Sequence, residues 1–132
     1  MAMKTFSFAM GEGKFCIEAT VVATGNDFVV VFGGGEKQHI GAVSVGWAHP
    51  SLTQNGTTSS SSSLICLSGH KEDLLARTAA LELSRYVGHT VAVTVGIHID
   101  AATVVDIATL ESNFHLLLEK IIIWYKEVDF ND

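Results

Sequence analysis

Between Thr90 and Asp100 the chain reads TVAVTVGIHID, and its side chains alternate without a break. Val91, Val93, Val95, Ile97 and Ile99 fall on one side; Thr90, Ala92, Thr94, Gly96, His98 and Asp100 fall on the other. A period of two held this long specifies a strand with one apolar and one polar face. It stands between two stretches of helical spacing. Upstream, Leu75, Ala76, Ala79, Leu83, Tyr86 and Val87 share one side of a helix that Gly88 is placed to stop. Downstream, Thr103 and Asp106 have the spacing of a capping box and open a long helix reaching about Val128.

The first half of the chain reads as strands punctuated by glycine. Phe6, Phe8 and Met10 alternate before a GEG turn at 11–13. KFCIEATVVATG, a GND turn at 25–27, and FVVVF running into Gly33-Gly34-Gly35 follow. A fourth strand is expected at about 39–48, and Asn55-Gly56 marks a turn. The polar run Thr57–Ser63 reads as a loop leading into an exposed strand edge. The expected fold is α+β, a largely antiparallel sheet in the order β-β-β-β-β-α-β-α with both helices on one face. Residues 1–132 are expected to form a single domain, long enough to bury a core without disulfides or metal.

Composition restricts the partners. A net charge of -6 argues against nucleic acid and against an anionic membrane surface, both of which recruit Lys and Arg. No apolar run approaches bilayer length, and the N-terminal stretch is too short and glycine-broken for a signal peptide, so a cytoplasmic setting is expected. Cys16 and Cys66 are expected to be small core residues. Hydrophobic residues make up 48% of the chain and charged ones 17%, more apolar than a monomer of this size needs. Val104, Ile107, Leu110, Phe114, Leu117, Leu118, Ile121, Tyr125 and Val128 form a broad apolar face on the last helix. Val105, Leu116 and Ile123 form a second stripe, and a helix apolar on two sides is usually buried on two sides. The plain alternative is a helix wedged deep in the monomer, but one sheet and two helices leave little to cover that stripe, so a partner contact, a homodimer, is expected.

Three segments carry polar residues where strands end: Gly33-Gly34-Gly35 leading to His39-Ile40-Gly41, Ser68-Gly69-His70-Lys71, and Gly96-Ile97-His98-Ile99-Asp100. The second opens the first helix. Free backbone N–H groups and the positive dipole end make such a start a seat for an anion, with Lys71 adding charge. The competing reading is a plain cap: Ser68 suffices as N-cap, and Glu72 and Asp73 suit the dipole without a ligand and would repel a phosphate. His98 shares its face with Ala92, Thr94 and Gly96. Those small side chains leave room for a flat ligand whose edge His98 or Asp100 could bond; a surface or dimer-buried histidine is the alternative.

Catalytic and metal signatures are missing. GGGEK lacks the Walker spacing, no GxGxxG opens a helix, and no GxSxG or HExxH occurs. His39, His70 and His98 have no short ligand spacing that would specify zinc.

In HIGAV (39–43), SGHKEDLLAR (68–77) and GIHIDAAT (96–103), taken in this order, the chain resembles the prenylated-flavin chaperone family, the LpdD-like proteins. The similarity runs from about residue 28 to the end of the last helix. DAAT departs from a family DNAT, leaving Ala102 where a polar side chain is expected. The resemblance implies a fold like that of the proteasome assembly chaperones. It also implies a non-catalytic carrier that holds prenylated FMN, or FMN, and passes it to a UbiD-like decarboxylase beside a flavin prenyltransferase. On that reading Ser68, Gly69, His70, Lys71, His39, Gly41, His98 and Asp100 would contact the flavin nucleotide. Two other classes stay open: an assembly or adaptor protein without flavin, and a small histidine-based enzyme, with or without metal.

Overall fold

The computed structural model describes residues 2–53, 55–67 and 72–128. Five strands come first: β1 Lys4–Met10, β2 Ile17–Thr24, β3 Asp27–Gly35, β4 Ala42–Pro50 and β5 Thr58–Cys66. Helix α1 (Asp73–Val87), strand β6 (Val91–His98) and helix α2 (Val104–Glu127) complete the chain. The expected element order and the α+β class therefore hold.

The strands form one sheet in the spatial order β1-β2-β3-β6-β4-β5. Every pairing is antiparallel except β3 with β6, which is parallel. The alternating strand read from TVAVTVGIHID thus lies in the middle, inserted between β3 and β4. Its neighbours explain its composition. Phe28, Val30 and Phe32 stand beside Val91, Val93 and Val95 in register, and all six are buried.

One face of the sheet is covered. α1 lies against β4, β5 and β6; α2 lies against β1, β2 and α1. Ile17, Ala19 and Val21 of β2 continue the buried rows toward α2, which returns Leu110, Phe114, Leu117, Leu118 and Ile121. Phe32 and Phe114 meet at the centre with ring centroids 4.7 Å apart. Gly88 takes the left-handed conformation (φ 74°) and its N–H bonds the Ser84 carbonyl, ending α1 where expected. The Thr103–Asp106 capping box is formed at the start of α2.

Several details differ from the sequence reading. The serine run is itself strand, because β5 is an edge that pairs only with β4. β4 begins at Ala42, since 36–41 is spent crossing the end of β6. Tyr86 is exposed and Ala80 and Ser84 are buried in α1. Cys66 is exposed and Cys16 half-buried, so neither belongs to the core. Val104 and Ile107 are exposed, which narrows the broad face of α2; Val105, Leu116 and Ile123 are also exposed. Among the described residues no helix packs on the opposite face of the sheet.

Candidate functional site

Because β6 lies between β3 and β4, the connection from β3 to β4 must pass over the end of β6. It does so at Gly96. A Cβ there would collide with the carbonyl of His39, so the glycine is what lets the crossing chain lie on the sheet. The Gly41 N–H then donates to the Val95 carbonyl (2.9 Å), tying the crossing segment to β6 before β4 begins. Part of the room expected above Gly96 is therefore filled by the protein's own backbone.

This crossing brings His39 to His98. Their rings lie edge to face with centroids 6.3 Å apart. His98 Nε2 is 2.8 Å from Asp100 Oδ1, an exposed pair. The turn beyond is held by Glu36, whose N–H donates to the His98 carbonyl (2.6 Å) and whose Oε1 accepts from the Asp100 N–H (3.0 Å).

His39 has its own carboxylate. Glu72, 7% exposed, places Oε1 3.1 Å from His39 Nε2 and 3.4 Å from the backbone nitrogen of Ile97. A Cβ on Gly41 would meet this carboxylate, so Gly41 leaves the space that Glu72 fills. The sequence reading assigned Glu72 only to the helix dipole. Its partners stand 33 and 25 positions away, and only Gly41, which faces the carboxylate, hinted at them.

Of the residues singled out from sequence, His39, Gly41, His98 and Asp100 come together at one end of the sheet. Ser68, Gly69, His70 and Lys71 lie outside the described residues. The chain on either side of them is anchored here: the Leu67 N–H bonds the Gly41 carbonyl (2.9 Å), and Glu72 bonds His39. Aligned on DNAT, the missing asparagine falls at Ala101 rather than Ala102; Ala101 is exposed in the turn before α2 and left-handed (φ 48°), a conformation asparagine adopts more readily than alanine. Among the described residues no three His, Cys, Asp or Glu side chains are placed to hold a metal ion. No described helix is long and apolar enough to cross a membrane.

Residues 11–126 match the family described as the prenylated flavin chaperone LpdD-like domain. The chain belongs to that family. No curated protein matches it. Among solved structures it is similar to a chain of a novel chaperone complex for yeast 20S proteasome assembly. The two share 18% identity over 96% of this chain and 97% of the other, with a TM-score of 0.60. At that identity the likeness concerns the fold, and it agrees with the fold implied by HIGAV, SGHKEDLLAR and GIHIDAAT.

Proposed function

We propose that this LpdD-like protein is a non-catalytic carrier that binds prenylated FMN, or FMN, and delivers it to a UbiD-like decarboxylase. The observation that carries the reading is family membership across residues 11–126. The end of the sheet bearing His39 and His98 supports it. Two imidazoles there can bond a phosphate or the polar edge of a flavin. Beside them Val31, Thr94, Val43 and Ile65 stand abreast in one row of the open face. Four strands set side by side span about 14 Å, enough for a flat tricyclic ring. Prenylated FMN would supply the decarboxylase with its reactive ring; this chain would only bind, orient and shield it. Ser68, Gly69, His70 and Lys71 enter as the phosphate seat on the strength of the sequence. A flavin prenyltransferase is the donor in this scheme, the setting is the cytoplasm, and the carrier acts as a homodimer.

The test is a titration with FMN and riboflavin, read by quenching of flavin fluorescence. FMN is expected to bind and riboflavin to bind much more weakly, because it lacks the phosphate. His39→Ala and Lys71→Ala are each expected to remove a charge-assisted bond of about 1.5–3 kcal/mol, roughly ten- to a hundredfold in affinity. Transfer to an apo-decarboxylase, measured as regained turnover, tests delivery. Turnover of aromatic acids by this chain alone would contradict the carrier reading.

A further inference from the structure

We propose that Glu72 is the positioning residue of this site, fixing the ring of His39 and the nitrogen that carries its proton. The inference rests on the carrier reading in one respect, that His39 touches the flavin nucleotide.

Glu72 is the residue before α1, where an acid ordinarily caps its helix. It makes no side-chain capping bond. Its carboxylate reaches instead to His39 on the crossing segment and to the Ile97 N–H at the end of β6. Burying a carboxylate is costly unless charge and hydrogen bonds compensate it, so this placement is held by those partners. Gly41 adds independent support. Any larger residue would push its Cβ into the carboxylate, so the crossing segment is shaped around Glu72.

The chemistry follows from what a carboxylate can do. It accepts hydrogen bonds and donates none, so the facing Nε2 of His39 must carry hydrogen. The ring is then fixed by Glu72 at Nε2, and Nδ1 lies 3.4 Å from the Lys37 carbonyl. The same bond holds the His39 ring at its 6.3 Å separation from His98, which sets the span the two imidazoles present.

The test uses the full chain, 15N-labelled, with FMN as probe. Histidine nitrogen shifts report the proton position without any ligand. In the wild type, His39 is expected to show a protonated Nε2. Glu72→Ala is expected to abolish that preference, Gly41→Ala to weaken it by displacing the carboxylate, and Glu72→Gln to retain the ring orientation in part. Thermal melts of all three identify any variant that fails to fold, and Glu72→Gln is the variant most able to keep the packing. FMN affinity is expected to fall about tenfold in Glu72→Ala, the loss of one charge-assisted bond. In a His39→Ala background the same substitution should change affinity little, because residues acting through one another are not additive. Unchanged His39 nitrogen shifts in folded Glu72→Ala and Glu72→Gln would overturn the proposal. So would an equal loss of affinity in both backgrounds. If the wild type binds no FMN, the carrier reading fails and the nitrogen shifts alone decide the role of Glu72.

Discussion

The two faces of the sheet are built from the same strands and behave as opposites. Toward the helices, Ile17, Val21, Phe32, Val93 and Val95 are at most 2% exposed, packed beneath Phe114, Leu117 and Leu118. Away from the helices, Val31 is 46% exposed, Val45 36% and Ile65 67%. Yet the open face is not the charged surface expected of a sheet facing water. Val22, Val29, Ala92, Val45 and Ser63 make one row across it; Thr20, Val31, Thr94, Val43 and Ile65 make the next. Neither row contains a charge. The difference teaches that the covered face makes the fold while the middle rows of the open one are left without charge.

The largest effect that can break this comparison is on stability. Phe114 is fully buried against Phe32, so Phe114→Ala is expected to cost about 3–5 kcal/mol in urea denaturation, through lost transfer energy and a cavity. Val31→Ala and Ile65→Ala on the open face are expected to cost about 0.5 kcal/mol or less. Equal losses on both faces would mean that a contact between copies packs the open face as tightly as the helices pack the other.

Association comes next in size. The stripe of Val105, Leu116 and Ile123 led the sequence reading to a homodimer, but exposed Glu119 and Lys120 flank it on α2. The open sheet face is broader and uncharged in its middle rows. Sedimentation is expected to show a dimer for the wild type. Val45→Glu, which places a charge in the middle of the open face, should give a monomer. Leu116→Glu with Ile123→Glu should leave the dimer intact. The reverse result would move the contact to the helix.

What the sequence revealed and what it hid divide along the same physical line. Local periodicity showed β6 through Val91, Val93 and Val95, and showed α2 through Thr103, Asp106, Leu110 and Phe114, because burial on one side writes a period into neighbouring residues. Ser59–Ser63 concealed a strand, because an edge strand needs little apolar content when backbone pairing and a bond such as Ser60 Oγ–H to the Leu81 carbonyl hold it. The place of β6 between β3 and β4 has no local signature, and the meeting of His39 with Glu72 depends on it. His39, Gly41, His98 and Asp100 were found because they are polar or glycine positions where strands end, and a family pattern is similar at the same segments. Glu72 was misassigned because its role is set by partners distant in sequence.

The smallest effect sharpens the comparison at the margin of the covered face. α2 begins outside the core: Val104 and Val105 are exposed, and its first buried residue is Leu110. Its first turn is therefore held by the capping box. The Thr103 N–H donates to Asp106 Oδ2 and the Asp106 N–H to Thr103 Oγ1, each at 3.0 Å. The backbone hydrogen bond from Thr103, more than any other influence, holds the Asp106 carboxyl below the usual aspartate range. A carboxyl whose folded-state pKa is depressed stabilises the fold above its unfolded value, about 3.9, and loses that contribution as pH falls through the lower folded value. Asp106→Asn is therefore expected to melt below the wild type at pH 6, with the gap closing as pH falls below about 4. Thr103→Ala removes the other half of the box and should cost about 0.5–2 kcal/mol at pH 6. Hydrogen exchange should place both losses in the first turn of α2, leaving the amides beyond Leu110 protected as in the wild type. A loss that spreads to Phe114 would mean that the cap and the core act as one unit, and that the covered face extends further toward the site than burial alone indicates.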